Sequence, residues 1–337
     1  MTIKNFALCI LAGLVFSTSV HAYTKEEVEK RGFLQCGVST GSPGFSTVDA
    51  EGKWAGLDVD MCRAVAAAIF GDADKVEYLP LAEKECFTAL LSGEVDILVR
   101  HLSWTFTRDT ALAVHFVGVN YYDGQGILIA EKLGAKKLAD LKKARICSPV
   151  TSPFEHKFTH YLESQKISFK KVTYDSIDLA IKGFEEGACD VISLQQSQLY
   201  GMRHGLAAPE SAVVLPDVLS REPLGPVVRQ GDDTWFNIVR WSLFAMINAE
   251  ELGITSKNIE EMKISNRLDV QRFFGQEGPG GKGIGLSDDW AVQIIRAVGN
   301  YGEVFERNFG SKSPLTVERG LNNLWNNGGL LYAPPLR

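Results

Sequence analysis

"SGEVDILVRHLSWTFTR", residues 92–108, places a mainly apolar run, Val95 to Val99, directly before a polar segment in which Ser103, Thr105, Thr107 and Arg108 surround Trp104 and Phe106. A short run of this kind, preceded by Gly93, reads as a strand covered on both faces, as in a parallel sheet. The pattern returns at residues 186–193, where "EGACDVIS" precedes the polar "LQQSQLYGMR". Two buried strands that each run into polar residues suggest two sheets of similar plan, with their carboxyl ends directed at something polar.

Working outward, each copy of this strand closes a strand, helix, strand, helix, strand series. In the first, "FLQCGVS" leads to "LDVDMCRAVAAAIF" (57–70), then to a strand around "KVEYL" and a helix around "EKECFTALLSG". Leu57, Met61, Val65 and Ile69 are four apart on one helical face, Asp58 and Asp60 sit near the positive end of the helix dipole, and Gly71 provides a stop. The second series is "ARICSP", a helix from Pro153 to about Ser164, "SFKKVTY", "SIDLAIKGFEEG" and "CDVIS". Such alternation predicts mostly parallel sheets with right-handed crossovers. Thr24-Lys25-Glu26-Glu27 forms a capping-box pattern for a short leading helix that Gly32 ends.

Two extended stretches link the units, "VGVNYYDGQGILIA" (117–130) and "SREPLGPVVRQGDD" (220–233), and a long helical pattern, "TWFNIVRWSLFAMINAEELG", follows. The chain therefore leaves one lobe, builds a second and returns. A pair of extended linkers permits hinge closure. Ligands of open α/β sheets bind outside the strands' carboxyl ends, so both polar segments are expected to face an interlobe cleft.

The first 22 residues put Lys4 ahead of an apolar stretch from Phe6 to Phe16 and end on Val20-His21-Ala22, the pattern of a secretory signal peptide cut after Ala22. Cys9 lies too early to be a lipoprotein's acylated cysteine. The formal charge of −6 and the lack of a basic stripe argue against nucleic-acid binding. Of six cysteines, Cys36, Cys62, Cys86, Cys147 and Cys189 survive cleavage. An odd count in an oxidising compartment leaves at least one thiol unpaired, and no CxxC indicates zinc.

Arg108 is the leading ligand candidate, because a guanidinium fork grips a carboxylate through two parallel hydrogen bonds. Ser103 leaves the same strand end with a hydroxyl. "TSPFE" (151–155) reads as a helix start, with Ser152 as N-cap, Pro153 in the first turn and Glu155 closing the box. A helix start at a strand's carboxyl end also favours anions. His156 and His160 lie four apart but lack a third ligand, so solvated helix histidines account for them better than a metal site. "GQEGPGGKGIG" (275–285) fails the spacing of a phosphate loop, and no nucleophile elbow is present.

These residues carry a resemblance. "GLDVDMCRAVAAAIFG" and "SWTFTRDT" resemble the signature helix and ligand-binding strand end of the extracellular solute-binding proteins of family 3, which serve polar amino-acid ABC transporters. "FVGVNYYDGQG", "EPLGPVVRQGDD", "RWSLFAMINAEELG", "VGNYGEVFERNFG" and "RGLNNLWNNGGLLYAPP" are similar to the general L-amino-acid-binding branch. The resemblance implies a two-lobed α/β periplasmic binding protein of type II, each lobe a mostly parallel sheet flanked by helices, joined by two hinge strands. The expected layout is a signal peptide at 1–22, the first part of lobe one at 23–119, lobe two with its hinge crossings at 120–226, and lobe one's return with a C-terminal helical extension at 227–337. It also implies a soluble periplasmic monomer that binds an amino-acid-like solute, delivers it to an inner-membrane ABC permease, and needs no cofactor.

By the same resemblance Arg108 holds the ligand's carboxylate with help from Ser103, while His101 stands where the family usually has Asn or Ser. Thr151, Ser152 and Pro153 replace the family's Gly-Thr-Thr. Gln195 replaces the Asp that pairs with the ligand's ammonium, which suggests a solute whose nitrogen is neutral, acylated or otherwise modified. Glu155 is the competing candidate for that missing acid. Pairing of Cys36 with Cys62 and of Cys147 with Cys189 would leave Cys86 free, with buried reduced cysteines as the alternative. Enzymes of similar fold, the cyclohexadienyl dehydratases, leave a lyase as a rival reading with His101 as its acid or base. A sensor that presents bound ligand to a receptor is the other rival.

Overall fold

The computed structural model describes residues 23–150 and 154–337. The segment 1–22, expected to be a signal peptide, and Thr151, Ser152 and Pro153 lie outside the described residues. The chain opens with α1 (Thr24–Arg31), β1 (Leu34–Val38), the small hairpin β2 (Thr47–Val48) and β3 (Trp54–Ala55), and α2 (Leu57–Phe70). Next come β4 (Val76–Pro80), α3 (Cys86–Ser92), β5 (Ile97–Leu98), α4 (Phe106–Ala111) and β6 (Val114–Phe116). The chain then crosses over through β7 (Tyr121–Asp123) and runs straight into β8 (Gln125–Ala130). Lobe two adds β9 (Lys143–Pro149), α5 (Glu155–Ser164), β10 (Ser168–Tyr174), α6 (Ile177–Glu185), β11 (Val191–Gln195), α7 (Gln196–Gly205) and β12 (Ala212–Val214). The return is β13 (Glu222–Leu224) and β14 (Val227–Arg229), followed by α8 (Asp233–Leu252), α9 (Ile259–Met262), α10 (Leu268–Phe273), α11 (Trp290–Val298) and α12 (Tyr301–Asn308).

Two five-stranded sheets result, ordered β4-β1-β5-β14-β6 and β10-β9-β11-β8-β12. In each, four strands run in one direction and the strand arriving from a crossing runs antiparallel to its neighbours, β14 against β5 and β6, and β8 against β11 and β12. The crossings pair antiparallel as a ribbon, Tyr121 opposite Leu224 and Asp123 opposite Glu222. They approach so closely that a Cβ on Gly225 would lie 2.0 Å from the Gly118 carbonyl oxygen.

Lobe one's core lies under α2, α8 and α11, where Trp235, Met246, Ile294 and Phe305 are buried. A second cluster around Leu90, Leu98 and Phe116 covers the sheet's other face. Lobe two is likewise covered on both faces, around Phe158 and Leu162 on one side and Phe184 and Leu199 on the other. Disulfides join Cys36 to Cys62 and Cys147 to Cys189, while Cys86 is free and buried.

Two local expectations change. Thr24 is the first helical residue rather than the cap, because its N–H is taken by Asp232 and its hydroxyl accepts from Arg229. Glu155 does not close a capping box, because its carboxylate accepts from Lys171 and from the Ser148 hydroxyl.

Candidate functional site

A cleft of about 1020 Å³ opens between the lobes, where the carboxyl ends of both sheets converge. Lobe one contributes Glu83 beyond β4, residues 100–103 and Thr105 beyond β5, and Arg108 on α4. Lobe two contributes Pro149 at the end of β9, Phe154 and Lys157 around the start of α5, Asp175 beyond β10, and Leu194 and Gln195 at the end of β11. Gln125 and Glu222, next to the hinge ribbon, form part of the wall. Arg108, Ser103, His101 and Gln195 thus come together on one cleft. Thr151 and Ser152 fall in the undescribed segment.

Arg108 is held in place. Thr105 caps α4 by accepting from the Arg108 backbone N–H at 3.3 Å, which fixes the helix's first turn. One side-chain nitrogen donates to the Ser103 carbonyl at 3.1 Å, another to the Glu83 carboxylate at 2.7 Å, and the guanidinium sits over the Phe87 ring. Glu83 therefore occupies part of the fork that an incoming carboxylate would use. Its side chain is 66% exposed, so it is readily displaced.

His101 has φ +46°, a left-handed backbone that non-glycine residues seldom adopt. Its ring stacks on Phe45 at 4.8 Å, and its Nδ1 lies 3.4 Å from a carboxylate oxygen of fully buried Asp58. Asp58 therefore does more than face the dipole of α2, because it positions a cleft residue.

The loop after β5 is tied to the hinge. The Trp104 N–H donates to the Pro223 carbonyl at 2.8 Å, and the Gly225 N–H donates to the Leu102 carbonyl at 3.2 Å. On the other lobe, the Gln196 N–H donates to the Gly124 carbonyl, and Asp123 accepts from the Ser197 hydroxyl at 2.5 Å and its N–H at 3.2 Å. Asp123 thus caps α7 from the hinge, and no side-chain cap bond engages Gln195. Each wall of the cleft is fastened to the element that must bend when it closes.

Burial pushes the Asp123 carboxyl up to about 6, against hydrogen bonds from Ser197 and Gly124 that act the other way. An unfolded aspartate titrates near ~3.9. Between those values the folded chain binds more protons, so this residue's contribution to stability grows as pH falls below about 6 and is lost as pH rises through it. Urea unfolding at pH 5 and pH 7 should show wild type gaining about 1 kcal/mol at the lower pH relative to Asp123→Asn. Parallel pH profiles for the two proteins would contradict the assignment.

Several cleft residues were not singled out from sequence. Arg100, Gln125, Lys157, Asp175 and Glu222 come from strand ends and a helix far apart in the chain, and no local spacing marks them. Glu155, the proposed substitute acid, is held by Lys171 and is not part of the cleft wall. His156 and His160 are exposed, and no group of three metal-ligating side chains occurs among the described residues.

A hinged pair of α/β lobes with a polar cleft at both sets of strand ends defines a class of protein that closes on a small solute. The chain belongs to the bacterial extracellular solute-binding proteins, family 3, whose profile matches residues 34–259. It is 50% identical to the putative amino-acid ABC transporter-binding protein YhdW of Escherichia coli (strain K12), over 100% of this chain and 99% of that one. It is 48% identical to the general L-amino acid-binding periplasmic protein AapJ of Rhizobium johnstonii, over 96% and 95%. Among solved structures, a periplasmic binding protein of an ABC transporter from Brucella ovis, with glutathione bound, is 49% identical and superimposes with a TM-score of 0.84 over 94% of this chain and 100% of that one. No described helix is long and apolar enough to cross a membrane.

Proposed function

We propose that this chain is the periplasmic solute-binding component of an amino-acid-type ABC transporter. It captures a small carboxylate-bearing solute between its lobes and hands it to an inner-membrane permease. The observation that carries this reading is Arg108 on the lobe-one wall of a hinged cleft whose lobe-two wall presents Gln195 where a carboxylate would pair with an ammonium. The closed form is selected because only it lets both lobes touch the solute at once.

Gln195 also supports the finer reading. A neutral amide loses the charge assistance that an acid gives to an ammonium, so the favoured solute has an acylated nitrogen beside its carboxylate. Glutathione, carried by the Brucella ovis relative, has that arrangement at its glycine end and is a candidate ligand here. No covalent step is required, and the leader at 1–22 would deliver the chain to the periplasm.

Calorimetric titration of the mature protein tests this. Glutathione or N-acylated amino acids should bind at least about tenfold tighter than the matching free α-amino acids, a margin of roughly 1.4 kcal/mol. Gln195→Asp should narrow or invert that order. Tight binding of several common L-amino acids, with no gain from N-acylation, would refute the acyl preference. Turnover of any bound ligand would favour a lyase, and capture of a receptor instead of the permease would favour a sensor.

A further inference from the structure

We propose that Arg100 anchors a second anion subsite in this cleft, so that the solute carries two acidic groups and not one. The inference rests on the carrier reading above and deepens it. Arg100 lines the cleft yet is only 9% exposed, and its Nε is buried without a hydrogen-bond partner. Among the half-buried arginines, Arg31 pairs with Asp96, Arg319 with Glu250 and Arg108 with Glu83, while Arg229 and Arg240 have no ion pair but donate to carbonyl oxygens. Arg100 enters no ion pair among the described residues, although an uncompensated buried charge is strongly unfavourable. The neighbouring Cys86 thiol is held neutral by burial and supplies no counter-charge.

A second orphan faces the same space. Gln125, 1% exposed, donates through Nε2 to the Phe154 carbonyl at 2.6 Å and to the Ser193 hydroxyl at 2.9 Å. Those two bonds fix the amide's orientation and leave its buried Oε1 without a donor. The cleft thus holds an unfilled cation from lobe one and an unfilled acceptor from the start of β8. A diacid with an N–H group, such as an N-acyl acidic amino acid or a γ-glutamyl peptide, satisfies both, while Arg108 takes the first carboxylate. A monoacid whose carboxylate goes to Arg108 leaves Arg100 unmatched.

The test uses two matched pairs that differ by one negative charge while keeping the carboxylate beside the acylated nitrogen, N-acetyl-L-glutamate against N-acetyl-L-glutamine and glutathione against its glutamyl α-carboxamide, titrated into wild type, Arg100→Gln and Arg100→Lys. In wild type, at least one diacid should bind at least about tenfold tighter than its masked partner. Arg100→Gln should erase that margin and leave the masked partner within about threefold of its wild-type affinity, and Arg100→Lys should restore part of it. Thermal unfolding confirms that each variant is folded, with the lysine variant serving if the glutamine one is not. If masked and unmasked partners bind wild type equally, or if Arg100→Gln weakens both members of a pair alike, the second subsite is overturned and the carrier reading stands. If none of the four acids binds wild type at millimolar concentration, the second subsite and the N-acyl preference both fall, and the titration with free L-amino acids decides the carrier reading separately.

Discussion

Arg108→Ala lowers affinity for the solute by roughly 10²–10³-fold in a calorimetric titration and leaves thermal unfolding almost unchanged. The magnitude follows from the fork. Two charge-assisted hydrogen bonds to a carboxylate are worth about 1.5–3 kcal/mol each, so their loss costs about 3–6 kcal/mol. Part of that is already offset, because the fork is engaged with Glu83 and the Ser103 carbonyl before any ligand arrives. Releasing an exposed partner such as Glu83 costs no more than about 1 kcal/mol. Stability barely responds for the same reason, since the bonds lost in the unliganded protein are those of a surface ion pair. Glu83→Ala is the informative control. It removes the internal competitor without touching the fork, so affinity should hold or rise by up to about fivefold. An Arg108→Ala protein that binds within about threefold of wild type would place the solute's carboxylate elsewhere, with Arg100 as the first alternative.

The contrast between these two arginines shows what the sequence could and could not convey. Arg108 is legible because it stands in a dense polar segment, "SWTFTR", after an apolar strand. The fold was legible on similar grounds, since the repeated strand-to-polar transition at Val99 and Ser193, the helix from Leu57 to Phe70 and the two crossings all depend on local periodicity. Arg100 occupies the end of the apolar run itself, where a single charge reads as a strand terminus. Its significance appears only when the surrounding elements bring no carboxylate to it, which is a property of three-dimensional neighbours. Gln125 is hidden for a related reason, because it begins a strand whose alternation says nothing about which amide atom lacks a partner. Glu155 shows the converse. Its spacing after Ser152 suggested a capping box, but Lys171 on the adjacent β10 offers a full charge, which outweighs a backbone N–H.

Removing the Cys147–Cys189 bond by a double serine substitution should destabilise lobe two by about 4 kcal/mol and lower its unfolding temperature by roughly 15–20 °C. The bond closes a loop with a sequence separation of 42, and the chain-entropy relation assigns such a loop about 4 kcal/mol. The corresponding bond in lobe one, with a separation of 26, is worth about 3.5 kcal/mol on the same relation. The consequences should nevertheless differ. The loop closed in lobe two contains α5, β10 and α6, and β11 joins β9 through a single registered pair, Val191 with Ile146. Noncovalent pairing between those strands is therefore thin, supported mainly by the Asp190 N–H on the Arg145 carbonyl and the ion pair of their side chains. In lobe one the bond instead ties β1 to α2, and α2 packs under the much larger core around α8 and α11. Scanning calorimetry of the double variant should resolve a lower transition for lobe two that added reductant no longer shifts, while the lobe-one transition still responds to reductant. Saturating solute should raise the lower transition again, because the cleft closes only on a folded lobe two. A lobe-two transition that stays in place after the bond is removed would mean that packing around Phe158 and Phe184 holds those strands without the covalent tie.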